Sequence, residues 1–314
     1  MQGDNVQVDQ LLNLYAAGER CFTGASLYQA NLNRVHLSQV DLQGANLRGA
    51  GLSGANLQGA DLRGATLAAA NLSNADLRGA DLRGVLLMEA DLRKVNLRKA
   101  NLTGADLTGA NLTGADLSEA NLTGAEISAA ILREVNLTLA DLTLAELSQT
   151  NLRGANLTGA YLRGAELLGT QLTGAELSQA NFRGTNLTEA DFQGANLSRS
   201  TLTGANLRGA YLTRADLREA KLNEANLRRS DLSQANLTGA DLRGANLNRA
   251  TLRGANLREA ILIGASLMGA NLSQASLQGA NLLEAVLTGA NLTGVDLTGV
   301  DLSATVMPNG SLSS

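Results

Sequence analysis

Side chains able to do acid–base or nucleophilic chemistry near neutral pH are scarce here: one histidine, His36, and one cysteine, Cys21, in 314 residues. A nucleophile needs a base to take its proton and a further group to orient that base, and a metal needs three or four converging donors. A lone histidine and a lone cysteine supply neither. Glycine-rich text such as Gly-Ala-Asn-Leu-Thr-Gly has the composition of a phosphate cradle, but it recurs throughout the chain and leads into no helix. No catalytic residue, metal ligand or cofactor is therefore expected, and the chain reads as a non-enzyme.

What remains is charge, and its meaning depends on where the chain places each residue. The organising feature is a period of five. From Phe22 to Leu302 every fifth residue is large and apolar: 57 positions, of which 53 are Leu and the others Phe22, Ile127, Phe182 and Phe192. Two positions before each of these centres, from Ala25 to Val300, stand 44 Ala, seven Val, three Thr and two Ser. The residue just before the centre is Asn or Asp in 36 of 57 cases, the one after it is usually Thr, Arg, Ser or Gln, and the next is most often Gly.

A period of five matches neither 3.6 nor 3.5, so a helix would smear the leucines around its circumference. In an extended segment alternate residues share a side, so the small residue and the centre point inward while Asn/Asp and the residue after the centre point outward. One reversal of direction per five residues is then required. If the centre opens a four-residue turn that ends on the next small residue, Gly falls at the third turn position, where positive φ is needed. Thirty of the 34 glycines stand there. Where other residues take that slot, as at Ala129, Glu134, Leu139, Leu144 and Gln149, or Arg214, Glu219, Glu224, Arg229 and Gln234, a different corner geometry is expected.

Blocks such as Ala105-Asp106-Leu107-Thr108-Gly109 and Ala235-Asn236-Leu237-Thr238-Gly239 resemble the pentapeptide-repeat family, over about nine-tenths of the chain. The resemblance implies an all-β fold, a right-handed quadrilateral parallel β-helix; its handedness and four sides come from the family, not from the period. Four centres per coil would give a solenoid of about 14 coils, stacked about 4.8 Å apart into a rod near 70 Å long. At roughly 2 kcal/mol per buried Leu, such a ladder offsets backbone ordering without an aromatic core. Aromatic content of 2% agrees with that reading.

Three parts follow: a segment 1–20 with a capping helix over Val6 to Ala17, a β-helix over 21–304, and a short tail 305–314. Leu11, Leu12, Leu14 and Tyr15 supply the helix with an apolar face, and Gly18 ends it. At the other end, Met307-Pro308-Asn309-Gly310 either folds across the last coil, or that coil docks on a second copy. Val295, Val300, Leu302, Val306 and Met307 are the candidate end contact, and a homodimer through the C-terminal end follows from it.

If residues 20 apart stack, surface columns can be drawn. Asp41, Asp61 and Asp81 form one, which Arg63 and Arg83 neutralise. Asp106, Glu126, Glu146 and Glu166 form another, whose same-face neighbours Thr108, Ser128, Ser148 and Leu168 carry no charge. Repulsion of about 1 kcal/mol per adjacent pair in water makes this strip the candidate surface for a basic partner. Basic residues crowd the distal half at Arg199, Arg208, Arg214, Arg218, Lys221, Arg228, Arg229, Arg249, Arg253 and Arg258. Acidic neighbours dilute them, and without interleaved aromatics they argue against nucleic acid. Thr103, Thr123 and Thr143 make one column, too narrow for an ice lattice.

Net charge of −4 excludes a strongly basic nucleic-acid binder. With one cysteine and no signal-like segment at Met1-Gln2-Gly3-Asp4-Asn5, the expected location is the cytoplasm, with no membrane span. The reading is a non-catalytic scaffold whose faces or ends engage a protein partner. The resemblance offers one alternative: some family members mimic duplex DNA, bind DNA gyrase and protect it from quinolones. Mixed charge and the absence of a loop weigh against that alternative. Long arrays with a helix leading into the first coil also resemble proteins abundant in cyanobacteria.

Overall fold

The computed structural model describes residues 8–313; the expectations for Met1 to Asn5 and for Val6 and Gln7 lie outside the described residues. Two compact units are present, Met1–Asn156 and Leu157–Ser314. Both are built from one five-residue element repeated without interruption.

In each unit the residue before a centre pairs in parallel with the residue 20 further on, as in Cys21↔Asp41 and Asp41↔Asp61 in the first and Tyr161↔Asn181 and Asn181↔Thr201 in the second. Four such pairings fall within each 20 residues, so a coil has four bridged sides. The expected short strands are single bridged residues, because a turn intervenes before a second pair can form.

The repeat Asn46 to Ala50 shows how every backbone N–H is used. Asn46 N–H donates to Ala25 O in the preceding coil (2.9 Å), Leu47 and Gly49 donate to Thr66 O and Ala68 O in the next (2.8 and 3.0 Å), and Ala50 closes the turn onto Leu47 O (3.0 Å). Arg48 N–H is left pointing outward, and the Asn46 side chain takes it through Oδ1 at 3.2 Å. The outward Asn/Asp preference thus has a cause: a side-chain acceptor two residues back satisfies the one donor that the coils leave unpaired.

Inward positions are filled as the period predicts. Leu32 through Leu287 are essentially inaccessible at every centre, and the preceding small residues from Val40 to Ala285 are no more than 4% exposed. Only a short side chain fits beside the turn, and where Thr or Ser replaces Ala its hydroxyl donates to a backbone carbonyl. Thr150 Oγ1 donates to Leu147 O, Ser200 Oγ to Leu197 O and Thr185 Oγ1 to Leu162 O, at 2.6 to 2.7 Å. In the second unit, Phe182 and Phe192 meet edge to face inside, with centroids 6.5 Å apart at 90°.

The expected change of corner geometry does not occur. Glu134, Leu139 and Leu144 adopt φ of 56°, 58° and 59°, and Arg214 to Gln234 lie at 56–59°, beside 62–74° for the corner glycines. A side chain in this left-handed region costs about 1–2 kcal/mol. Each corner is held by its turn bond and by inter-coil bonds such as Glu134 N–H to Arg153 O (3.1 Å). Among the described residues, 27 corners lack glycine, and none of them holds Val, Ile, Thr or an aromatic residue. The slot therefore excludes side chains branched or bulky at Cβ, for which positive φ is most strained.

Helix α1 spans Val8–Ala16. It ends with Gly18 at φ 102°, where Gly18 N–H bonds Tyr15 O and Glu19 N–H bonds Leu14 O, both at 3.0 Å. Leu11 is buried, Leu12, Leu14 and Tyr15 are half-buried, and Tyr15 donates its hydroxyl to Ser38 O at 2.9 Å.

Candidate interaction surfaces

His36 and Cys21 both occupy the outward slot before a centre and are exposed. His36 pairs through its backbone with Asn56, and Cys21 Sγ lies 3.1 Å from Thr23 Oγ1. Among the described residues no three His, Cys, Asp or Glu side chains converge on a point that could hold a metal ion. The glycines that suggested a phosphate cradle are corners.

Asp41, Asp61 and Asp81 stack as expected. Arg63 folds back onto Asp61 (Nη2 to Oδ2, 2.5 Å) and lies 3.7 Å from Asp81, while Arg83 clamps Asp81 at 2.6 Å. Hydrogen bonding from Arg63 holds the Asp61 carboxyl below the usual aspartate range, and Arg83 does the same for Asp81. The same clamp forms wherever the chain reads Asp-Leu-Arg: Arg78 on Asp76, Arg93 on Asp91, Arg218 on Asp216 and Arg243 on Asp241, at 2.5 to 2.6 Å. The outward carboxylate and the arginine two residues on share one side of the coil, so each triplet neutralises itself. Four of these triplets, at Asp76, Asp91, Asp216 and Asp241, lie outside the column read from the sequence.

In the first unit, Asp106 pairs with Glu126 and Glu126 with Glu146 in one column. Thr108 N–H donates to Asp106 Oδ1 at 2.9 Å. The neighbours Thr108, Ser128 and Ser148 bring no cation. Glu166 belongs to the second unit, where Asn186 Nδ2 donates to its Oε2 at 2.7 Å.

The basic residues sort by their partners. Arg98 and Lys99 share Glu119 (2.8 and 3.3 Å), Arg199 reaches Glu219 at 2.9 Å, and Arg214 donates to Gln234 at 2.9 Å. Among the described residues, Arg208 and Arg228, which follow asparagine, carry no such partner. In the threonine column Thr103 and Thr123 donate their hydroxyls to Asn101 and Asn121 (2.6 and 2.7 Å).

At the C-terminal end the inward residues Leu292, Val295, Leu297, Val300 and Leu302 are only half-buried, as are Val306 and Met307. The ladder continues to Val306, which pairs with Val286. The chain then reverses: Met307 N–H donates to Ser311 O, Gly310 N–H to Met307 O and Ser313 N–H to Thr305 O, each at 2.8 Å, and Val306 pairs antiparallel with Leu312.

A family model described as pentapeptide repeats matches this chain in overlapping segments between residues 21 and 303. No curated protein matches it. Among solved structures, HetL, a pentapeptide repeat protein involved in heterocyst differentiation regulation from the cyanobacterium Nostoc sp. strain PCC 7120, is 31% identical over 99% of this chain and 100% of its own, with a TM-score of 0.26. The pentapeptide repeat protein alr5209 from Nostoc PCC 7120 is 45% identical over 35% of this chain and 84% of its own, at TM-score 0.22. QnrB1, a plasmid-mediated fluoroquinolone resistance protein, is 22% identical over 61% of this chain and 89% of its own, at TM-score 0.38.

Proposed function

The chain belongs to the pentapeptide-repeat family, and from that premise we propose that it is a non-catalytic scaffold that presents its faces or ends to a protein partner. Family members fold as right-handed quadrilateral β-helices. We assign the same sense to these coils, since parallel crossovers run right-handed in nearly all cases. The parts are assigned as 1–20, 21–304 and 305–314, with α1 covering the first coil.

The observation that carries this reading is the division of labour within each repeat. Leu and Ala are enclosed and the backbone donors are used, so outward slots, corners and ends are what is left to carry recognition. Solenoids put such surfaces to use in binding. No helix among the described residues is long and apolar enough to cross a membrane.

The acidic column Asp106, Glu126 and Glu146 of the first unit is one proposed contact, and Glu166 of the second unit is another acidic position offered to a basic partner. A second is the end lined by Val295, Val300, Leu302, Val306 and Met307, where half-buried apolar residues fit a second copy. Gyrase mimicry gains little support from a surface on which six Asp-Leu-Arg triplets neutralise themselves.

Affinity capture with wild-type chain, with Asp106→Lys/Glu126→Lys and with Val300→Asp tests the scaffold reading. A protein retained by the wild type and lost with one variant supports it. Retention that no surface variant alters overturns it. A supercoiling assay in which the chain protects gyrase from a quinolone would move the assignment to mimicry.

A further inference from the structure

Arg208, Arg228, Arg229 and Arg249 of the second unit are all exposed. Arg208 and Arg228 follow Asn206 and Asn226, whose Oδ1 atoms accept the arginines' own backbone N–H groups at 3.3 and 3.2 Å. An amide offers no charge onto which a guanidinium can fold, so the clamp of Asp-Leu-Arg is missing here. Arg229 and Arg249 stand at corners, with φ of 58° and 60°, and point away from the coil. Among the described residues, none of these four guanidinium groups has a hydrogen-bond or ion-pair partner.

Their arrangement is a ladder. Asn206 pairs with Asn226 and Asn226 with Asn246, placing Arg208 over Arg228, while Arg229 N–H donates to Asn248 O at 3.1 Å, in the coil that carries Arg249. A groove of about 330 Å³ lies between Arg228, Asn246, Asn248, Arg249 and Met268. Nearby carboxylates are Glu189 and Glu224 at corners, and Asp231, which already accepts hydroxyls from Ser233 (2.6 Å) and Thr213 (3.2 Å). The arginines outnumber them.

We propose that this arginine ladder docks a ladder of carboxylates on a second copy of the chain, namely Asp106 and Glu126 of the first unit. The reason is repeat distance as well as sign. Both ladders step by one β-coil, about 4.8 Å, so two successive rungs meet in register without either surface bending. Among the described residues neither Asp106 nor Glu126 forms an ion pair, so that column carries like charges, and the arginine column carries the opposite imbalance. Each relieves the repulsion within the other, and guanidinium–carboxylate pairs add bidentate hydrogen bonds. The inference deepens the scaffold reading by naming a partner, and it is independent of the C-terminal contact.

Sedimentation velocity on the full chain, over a range of concentrations in about 20 mM and about 500 mM salt, reads the association directly. We expect a weight-average mass above 32.5 kDa in low salt, with the dissociation constant raised about tenfold or more in high salt. Arg208→Glu/Arg228→Glu and Asp106→Lys/Glu126→Lys should each stay at monomer mass. Mixed together they should associate again, because one retains the native carboxylates and the other the native arginines. Arg208→Gln/Arg228→Gln, which only neutralises, should weaken association less than reversal, and circular dichroism spectra matching wild type establish that the variants fold.

A wild type that stays monomeric in low salt overturns the proposal, as does association that both reversals leave unchanged. Association lost only with Val300→Asp assigns it to the C-terminal end instead. None of those three results touches the scaffold reading, which the capture experiment decides separately.

Discussion

Asn33 Oδ1 accepts the backbone N–H of Ser53, one coil further on, at 2.8 Å, directly over Gly51, which has no side chain with which to accept it. The same substitution of roles recurs at Asn248, which takes Met268 N–H at 2.8 Å where Ser266 fills the outward slot. In these two repeats the donor left outside the coil-to-coil ladder is satisfied from the coil before.

This compensation predicts a non-additive pair. Asn33→Ala should cost about 1 kcal/mol by leaving Ser53 N–H to water. Gly51→Asn alone should not stabilise, because its Cβ would stand 2.9 Å from Asn33 Nδ2. Combined, the two should recover most of the loss, since the carboxamide introduced by Gly51→Asn would accept from Ser53 N–H within the same repeat. Urea midpoints of the four chains measure the coupling, and simple additivity would refute the compensation.

Centres and caps should separate by magnitude. Leu102→Ala removes a side chain buried in the ladder and should cost about 2–5 kcal/mol. Asn101→Ala removes the acceptor of Thr103 N–H and Thr103 Oγ1 at a half-buried surface and should cost about 1 kcal/mol. Denaturant titration of both variants checks the order, and equal losses would contradict it.

Corners should tolerate residues by branching at Cβ, not by size. Leu144, exposed at φ 59°, should be replaceable by Gly with a gain of up to about 1 kcal/mol. Gly104→Val should be more destabilising than Gly104→Gln, although nothing lies within 4 Å of a Cβ built there. A valine tolerated as well as glutamine would mean that the corner relaxes.

Stability should fall with acid in a defined window. Arg63, Arg83 and Arg93 hold the carboxyls of Asp61, Asp81 and Asp91 below the ordinary range. As pH drops, the unfolded chain takes up these protons first, so the unfolded state gains relative to the folded one. The contribution is complete above the ordinary aspartate value of about 3.9 and is lost as pH falls through the depressed values. Urea midpoints should be level from about pH 5 to 7 and decline below about pH 4. Asp61→Asn/Asp81→Asn should make that decline shallower; an unchanged slope would show that these exposed clamps contribute nothing.

Much of the structure was legible from the period alone. Leu32 and Val40 had to point inward and Asn31 outward, because alternation about an extended segment permits no other arrangement of those types. The corner slot was legible too, through Gly. Its occupants were misread, because Leu139 and Glu134 looked like breaks in a glycine rule when the operative rule concerns branching at Cβ. The difference between Arg218 and the free Arg208 and Arg228 was legible as well, since Asp216 precedes the one and Asn206 and Asn226 the others, but nothing local showed that no group of a neighbouring coil reaches Arg229 or Arg249.

By itself, then, the sequence determined the repeat, its interior and the position of every turn, since these follow from side-chain size and alternation within five residues. Only the tertiary structure decided how Asn33 serves Ser53, how Arg98 and Arg199 reach Glu119 and Glu219 one coil further on, and how residues 305–313 close back on Val306. Those depend on which groups of separate coils, or of the returning tail, come within hydrogen-bonding distance, and no pattern within five residues specifies that.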